Sequence, residues 1–254
     1  MGLEEIKSVG YMSRIETKYL FSFSKLPSLL MNVMPLYKIL EIDRYRTFDY
    51  KTIYFDTPQL SFYRQHVTGK LNRDKVRVRK YENNGLTFLE VKHKSNKGHT
   101  SKTRLENEEG DMNHVAQSRE FLDELISADI NSLKALINTG FTRITLVNLD
   151  EAERITIDFN ISWNNMKGDS IDVPFLAIAE IKSNKSTSMS PFFQQLKKMG
   201  IRSTGFSKYV TGMALLNNVP KKNNIKPKVL LLNKIKDEYN RNGAARRQCG
   251  NGGI

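Results

Sequence analysis

The most regular pattern in the chain is a strict alternation of charged and apolar residues between positions 75 and 94. In residues 75–79 the odd positions are Lys or Arg and the even positions are Val. In residues 89–94 the even positions carry Glu or Lys, whereas positions 89 and 91 are apolar. Alternation with a period of two is typical of a β-strand with two different faces, so both segments are predicted to be strands.

Asn84 and Gly85 lie between these segments and form the strongest short signal for a two-residue hairpin turn, because both central residues must accept a positive φ. With this turn, like charges face one another on one side of the hairpin. Such pairs destabilise a ladder, so this face is interpreted as one that expects an anion. An ordinary sheet with a solvent-facing charged side is the alternative. The predicted pairs are Asn83 with Leu86, Tyr81 with Phe88, Arg79 with Glu90, Arg77 with Lys92, Lys75 with Lys94 and Val78 with Val91.

Alternation, apolar spacing and capping residues predict further elements on both sides of this hairpin. The additional strands are predicted at residues 14–21, 47–56, 101–106, 143–147, 154–159 and 175–183. Helices are predicted at residues 26–36, 59–66, 111–128, 130–137 (ending near Gly140), 191–199, and from Thr204 or Ser207 to Leu216.

The composition is that of a globular chain. Its 254 residues are 39% hydrophobic, which allows a substantial core in one large or two small domains. No apolar run approaches the ~20 residues of a membrane-spanning helix. The N-terminal residues lack an apolar signal region, and Cys249 is the single cysteine, so no internal disulfide can form. A cytoplasmic protein is therefore expected.

The net charge of +13 is distributed unevenly along the chain. Residues 218–254 contain nine Lys and Arg against two acidic residues, and this gives them a net charge of +7. This Lys- and Asn-rich tail is predicted to be largely disordered, with an optional helix at 229–239 and a possible acidic partner. The chain is accordingly divided into a domain at residues 1–217 and a basic tail at residues 218–254.

The charged faces of the predicted strands allow two arrangements. The sheet can bury its apolar face under helices and expose its charged face to water, or it can close on itself with charges inside and helices outside. A closed interior of unpaired cations cannot be dry, so it would need water and a polyanion. The basic residues concerned are Arg14, Lys18, Lys75, Arg77, Arg79, Lys92, Lys94, Lys102, Arg104, Arg154 and Lys182, with Arg143 on a less regular strand.

An ordered set of motifs adds a resemblance to a known family. The motifs are RIETKY, IYFDTP, RVRKYE followed by FLEVKHK, SKTRLE, RITIDFNI, AIAEIKS and GFSKY. Together they resemble the VTC (vacuolar transporter chaperone) polyphosphate polymerase domain of the triphosphate tunnel metalloenzymes, over about residues 11–217. The resemblance implies an α+β fold, in which a closed antiparallel β-barrel of about eight strands forms a tunnel with a charged interior and helices packed outside.

The resemblance also implies roles for individual residues. Glu180 matches the carboxylate that holds a divalent metal, Mn²⁺ or Mg²⁺, and Glu16 and Glu90 are expected to help. Phe141 and Lys94 depart from the family pattern, which has Tyr and His at these places. The positions that match triphosphate-gripping residues are Lys18, Arg77, Arg79, Lys92, Arg143 and Lys208.

Other residues are expected to contribute to substrate binding. Guanidinium groups grip phosphate oxygens bidentately, whereas lysines act as point charges. Ser207 lies at a predicted helix start, where backbone N–H groups favour an anion. The further candidates are Arg14, Lys75, Lys94, Lys102, Arg104, Arg154, Lys182 and Ser207.

The expected function is metal-dependent phosphoryl transfer by a polyphosphate polymerase, which moves the γ-phosphate of ATP onto a growing chain inside the tunnel. A tripolyphosphatase or nucleoside triphosphatase that uses the same site, with water as the acceptor, is the alternative. A non-catalytic polyphosphate or nucleic-acid binding module is the second alternative. Aromatic residues do not interleave with the basic positions as base-stacking platforms would require, so no specific nucleic-acid partner is expected.

Overall fold

Ten β-strands form one antiparallel sheet in the computed structural model, which describes residues 15–97, 99–107, 115, 118–183 and 187–250. The alternating segments of the sequence are the centres of these strands, as the period-two pattern predicts. The strands are β1 Ile15–Ser22, β2 Lys38–Ile39, β3 Phe48–Asp56, β4 Arg73–Tyr81, β5 Thr87–Lys94, β6 Thr100–Glu106, β7 Lys134–Asn148, β8 Glu153–Asn165, β9 Ser170–Val173 and β10 Leu176–Ser183.

The sheet curves until strands from its two ends approach one another. Its order is β1-β10-β8-β7-β3-β4-β5-β6, with β2 paired to β7 and β9 paired to β8. Lys92 Nζ on β5 lies 3.4 Å from Glu16 Oε2 on β1. The α+β class is confirmed, but β1 and β6 are not paired within the described residues. The predicted closed barrel is therefore not formed by these strands, and β6 is exposed along its whole length.

Helices cover most of the outer, apolar face of the sheet. Leu29 and Leu196 from two of these helices pack with Ile157 of β8. Leu122 from a third helix packs with Val78 of β4. The apolar member of each alternating pair thus determines which face is covered. The helices are α1 Leu26–Val33, α2 Ser61–Val67, α3 Arg119–Asp123, α4 Pro191–Lys198, α5 Lys208–Leu216 and α6 Lys226–Gly250.

Helix α5 differs from the expectation that the helices lie outside, because it packs against the inward face at one end of the sheet. Ile137 is in phase with the inward-facing Arg143 of the same strand, and it belongs to the core that contains α5. A Cβ on Gly212 would lie 2.3 Å from Trp163 Cδ1 and 2.7 Å from Ile137 Cδ1. Trp163 Nε1 also donates to the backbone oxygen of Lys208 at 2.9 Å. The inward face is therefore apolar and packed at this end.

The β4–β5 hairpin has a four-residue turn instead of the predicted two-residue turn. Gly85 N donates to Tyr81 O at 2.8 Å, and Tyr81 N donates to Leu86 O at 2.8 Å. The pairing shifts by two residues, so each side chain keeps its predicted face but changes its partner. The shift replaces the predicted opposite-charge pair of Arg79 and Glu90 with a pair of Arg77 and Glu90. The predicted pairs are wrong: Arg77 faces Glu90, Lys75 faces Lys92, Arg79 faces Phe88, Val78 faces Leu89 and Arg73 faces Lys94.

The helix predicted at residues 130–137 is also wrong, because residues 134–137 belong to the long strand β7. Only Ile130–Ser132 is helical, as a single 3-10 turn. Gly140 ends no helix; it pairs with Ser162 in β8 beside a register shift. Pairing of β7 with both β3 and β8 overrides the local pattern. In place of the helix predicted at 111–128, the described part of the chain has an α-helix at Arg119–Asp123. Residues 111–114 and 116–117 lie outside the described residues.

The C-terminal segment forms helix α6, whereas the sequence led us to expect a largely disordered tail. Leu232 and Ile235 are buried in the core that contains α5. Lys25 Nζ, just after β1, lies 2.6 Å from Glu238 Oε1. The few apolar residues of the tail therefore have tertiary partners, which the local composition does not reveal. None of the helices in the described part of the chain has the length and apolarity of a membrane span.

Gly212→Ala should destabilise the protein by about 1–3 kcal/mol, because the added methyl group overpacks the contact with Trp163. Urea unfolding followed by tryptophan fluorescence measures this change. Gly243→Ala is the matched control, since Gly243 lies in α6 with no atom within 4 Å of an added Cβ. That control should leave the stability unchanged or raise it by up to about 1 kcal/mol. Equal effects of both substitutions would contradict the packing of α5 against Trp163.

Candidate functional site

The inward face of the sheet gathers cations from most of its strands. The residues that alternate with them pack in the outer cores, as Val76 and Val78 do in β4. Neighbouring strands stay in phase, since Arg143 faces Asp158 and Lys182 faces Arg154 across their ladders. The inward cations are Lys18 on β1, Lys75, Arg77 and Arg79 on β4, Lys92 on β5, Lys102 and Arg104 on β6, Arg143 on β7, Arg154 on β8 and Lys182 on β10.

Glu180 joins two of these cations at the β1–β10 pair. Its Oε2 lies 2.9 Å from Lys18 Nζ, and its Oε1 lies 2.9 Å from Lys182 Nζ. Burial alone would raise the pKa of Glu180, but Lys182 and Lys18 outweigh it and hold the pKa well below the usual value. Lys182 also lies 3.5 Å from Glu16, which pairs in turn with Lys92 at 3.4 Å. A continuous chain of alternating charges therefore crosses from β10 through β1 to β5.

Glu90 forms a second charged group on β4, β5 and β6. Arg77 Nη2 lies 2.7 Å from Glu90 Oε2, and Lys102 pairs with Oε1 of the same carboxylate. Burial raises the pKa of Glu90, but Arg77 and its neighbours outweigh this and lower it. Burial lowers the pKa of Lys102 to about 8 despite the attraction of Glu90. A modest rise in pH therefore discharges Lys102.

Asp158 forms a third group, and it was not among the predicted site residues. Arg143 binds it through two nitrogens, with Nε 2.5 Å from Oδ1 and Nη2 2.8 Å from Oδ2. Lys208, the first residue of α5, pairs with the same Oδ2. Burial would raise the pKa of Asp158, but Arg143 and Lys208 lower it below the usual range. Asp158 lies in phase with Arg154 in the alternating segment of β8, which is the signal that could have identified it.

Lys75 and Arg79, both on β4, have no carboxylate within ion-pair distance among the described residues. Lys75 is half-buried with Lys92, Lys18 and Arg77 as its charged neighbours; burial and these like charges lower its pKa well below the usual value. Arg79 is 7% exposed, and its Nε donates to Thr52 Oγ1 at 3.3 Å. Burial and Arg77 lower the pKa of Arg79 as well. Positive charge therefore exceeds negative charge at the centre of β4, which is where an anion would be stabilised.

Aromatic rings line the inward face beside these cations, contrary to the expectation that aromatics and basic residues do not interleave. Tyr50 and Phe141 stack with a 5.0 Å centroid separation and an interplanar angle of 6°. Arg79 Cζ lies 5.4 Å from the Tyr50 centroid, and Lys208 Nζ lies 4.1 Å from the Phe141 centroid. Arg143 Cζ lies 5.2 Å from the Tyr50 centroid. Such contacts stabilise partly desolvated cations without neutralising them.

The remaining predicted residues have different positions. Ser207 caps α5, with its Oγ accepting from Val210 N at 3.3 Å. Arg104 Cζ lies 4.7 Å from the Phe88 ring centroid. Lys94 lies at the end of β5 opposite Arg73 and Thr100, away from the three carboxylates. Arg14 lies outside the described residues.

The carboxylates differ in their suitability for a divalent cation. No three His, Cys, Asp or Glu side chains converge within the described part of the chain. Glu16 and Glu180 both contact Lys182, so their carboxylates lie on two sides of one ammonium group. Mg²⁺ needs only one or two carboxylates when phosphates complete its shell, so this donor set fits. Glu90 fits less well, because Arg77 and Lys102, the two cations that it contacts, contact no second carboxylate within the described residues.

Comparison with known proteins gives the family of this chain. A putative adenylate cyclase from Bacillus halodurans has a TM-score of 0.53 and 16% identity, over 78% of this chain and 95% of that one. A Hippeastrum putative adenylyl cyclase described as having a dominant triphosphatase activity has a TM-score of 0.48 and 16% identity, over 83% of this chain and 99% of that one. No curated protein matches the sequence. The VTC domain family matches residues 13–217, and the chain therefore belongs to that family.

Proposed function

We propose that this protein binds the triphosphate end of ATP or polyphosphate among its inward cations and catalyses metal-dependent phosphoryl transfer. The observation that carries the proposal is that Lys75 and Arg79 have no carboxylate within ion-pair distance among the described residues. Enclosed like charges are unfavourable unless a counter-charge joins them, and a triphosphate supplies several negative charges in one extended group. Membership in the VTC domain family supports the same class of substrate.

The residues around Lys75 and Arg79 would bind the phosphates in different ways. Arg79 and Arg143 offer planar guanidinium groups that can grip phosphate oxygens bidentately. Lys18 and Lys208 share carboxylates with neighbouring cations, so their ammonium groups can turn toward a phosphate while the carboxylate keeps another partner. Binding of an anion therefore rearranges existing ion pairs rather than leaving a buried carboxylate alone.

Glu180 and Glu16 are the residues that would hold a Mg²⁺ or Mn²⁺ ion in this proposal. Such an ion, when bound, neutralises charge that develops on the transferred phosphoryl group. Lys182, which now bridges the two carboxylates, would then be free to contact a phosphate oxygen. The protein's own cations position the phosphates in line with the acceptor, which is the main requirement of phosphoryl transfer. With a phosphate chain as the acceptor, the protein is a polyphosphate polymerase that uses the γ-phosphate of ATP.

Hydrolysis of tripolyphosphate is a second candidate function, and the position of α5 favours it. Gly212 of α5 packs against Trp163 and Ile137, so one end of the inward face is filled by a tight core. Lys208 stands at the border between this core and the charged groups. A site that is filled at one end suits a short triphosphate with water as the acceptor. A growing chain would have to leave on the side from which it entered.

Product analysis tests the proposed reaction directly. Incubation with ATP and Mn²⁺ should give long-chain polyphosphate visible on a gel, whereas free phosphate alone would assign the protein to hydrolysis. Glu180→Gln should lower the rate by about 100-fold or more, the scale of one lost electrostatic contact with the transition state. Glu82→Gln is the control, since the half-buried Glu82 in the β4–β5 turn pairs with Lys51 and Lys80, which are not among the inward cations. Absence of both products from the unmodified protein would overturn the enzymatic proposal.

Tripolyphosphate should stabilise the protein strongly against heat. At about 100 times the dissociation constant, a ligand that binds only the folded state contributes about 2.7 kcal/mol. Lys75→Met should reduce this shift without lowering the melting temperature of the ligand-free protein, because the side chain loses a charge that its neighbours repel. Lys70→Met, at an exposed position, is the control. A melting temperature that does not respond to millimolar tripolyphosphate would refute the binding site.

Raising the pH from about 7 to about 9 should weaken tripolyphosphate binding and stabilise the ligand-free protein. The pKa of Lys75 is lowered by burial and like charges, and that of Lys102 falls to about 8, mainly through burial. The unfolded chain, whose lysines titrate near ~10.4, binds more protons in this interval, so the free energy of unfolding rises with pH. Discharged lysines attract phosphate less, and the dissociation constant rises.

Isothermal titration calorimetry and urea unfolding across this pH range measure both effects. Lys102→Arg keeps its charge throughout the range and should show a smaller loss of affinity at high pH than the unmodified protein. Identical pH profiles for the two proteins would contradict the assignment of Lys102 as a titrating group of the site.

A further inference from the structure

We propose that Lys228 of helix α6 is a positioning residue that orients Lys18 and Lys208 through Thr204. Helix α6 lies outside residues 13–217, which match the VTC domain family, so this function belongs to a part of the chain that the family match does not cover. The inference rests on the proposed function in one respect, namely that Lys18 and Lys208 contact the triphosphate.

A short irregular segment connects both lysines. Residues 199–207 lead from α4 to α5 and run beside the edge of β1 that faces away from β10. Ser203 forms an isolated antiparallel bridge with Tyr19, and Thr204 N donates to Lys18 O at 2.9 Å. Three residues later Ser207 caps α5, whose first residue is Lys208. The same segment therefore fixes the backbone of one inward lysine and leads directly to the other.

This segment has little regular structure of its own. Gly200 has a φ of +70°, and Gly205 contacts no atom within 4 Å of a built Cβ. Lys228 Nζ donates to Thr204 Oγ1 and so reaches the segment between these two glycines. Because glycines permit many backbone conformations, a side-chain contact between them restricts the segment more than it would in a helix or strand.

Helix α6 is itself firmly attached, so that Lys228 is held by a fixed element. Leu232, one turn after Lys228, is 4% exposed in the core shared with α5. Glu238 pairs with Lys25 at 2.6 Å, and Asn242 Nδ2 donates to Ser24 Oγ at 2.9 Å. The helix thus connects the segment beside Lys18 with the residues that follow β1. Lys228 links a well-packed helix to an irregular connection beside Lys18 and Lys208.

Lys228→Met tests the inference in the full-length chain, because methionine keeps the apolar stem and removes the donor. The dissociation constant of tripolyphosphate should rise about 3- to 10-fold, the effect of losing roughly one hydrogen bond. Lys234→Met removes the same charge from an exposed position of the same helix and should change affinity less than about 2-fold. Equal effects of the two substitutions would show a general charge effect and overturn the proposal.

A double-mutant cycle separates positioning from direct binding. Thr204→Val removes the acceptor of the Lys228 contact, so it should weaken binding to a similar extent. The double variant should then bind no worse than either single variant, because both remove one shared contact. Fully additive losses would mean that Lys228 acts independently of Thr204, and the proposal would be wrong.

Hydrogen exchange gives a readout that does not depend on the substrate. The Thr204 amide donates to Lys18 O, so its exchange should accelerate in Lys228→Met and stay unchanged in Lys234→Met. If the unmodified protein fails to bind tripolyphosphate, the proposed function fails, whereas accelerated exchange at Thr204 would still support the positioning contact. Unchanged exchange in Lys228→Met would overturn that contact even in a protein that binds tripolyphosphate.

Discussion

Cations that lie inside a curved sheet need counter-charges, and the arrangement of the inward face depends on this constraint. The protein meets it with carboxylates that each serve two cations on different elements. The Asp158 group joins β7 and β8 to α5, and the separate pair of Glu16 and Lys92 joins β1 to β5 across the curved sheet. The three groups are Glu180 with Lys18 and Lys182, Glu90 with Arg77 and Lys102, and Asp158 with Arg143 and Lys208.

At the centre of β4 the inward cations lack sufficient counter-charge. The resulting excess of positive charge is the main chemical property of the site. Arg79 lies against the stacked pair of Tyr50 and Phe141, which stabilises its charge without neutralising it. Lys75 has other cations as its nearest charged neighbours. The apolar packing of α5 against Trp163 bounds this positive region at one end. An anion that enters therefore meets fixed positive charge on several strands and an apolar boundary beyond Lys208.

Much of this site could be predicted, because side-chain direction in a strand follows from parity alone. The inward orientation of Lys92 and Arg77 survives a two-residue error in the hairpin register, since a shift of two residues preserves the face. Asp158 was missed as a site residue although its phase with Arg154 places it on the charged face, because phase alone does not show which cations a carboxylate joins. Tyr50 was missed because the aromatic and basic residues that meet lie on different strands.

The sequence by itself determined the centres of most strands, which of their faces are charged and which family the motifs indicate, because these properties depend on period and residue type. Only the tertiary structure decided the partners: that residues 134–148 pair on both sides as one strand, and that Glu90 faces Arg77. It also decided that α5 packs against the inward face and that the basic tail forms helix α6, which shares a core with α5. Partner choice is set by contacts between distant segments, and local patterns in the chain do not encode those contacts.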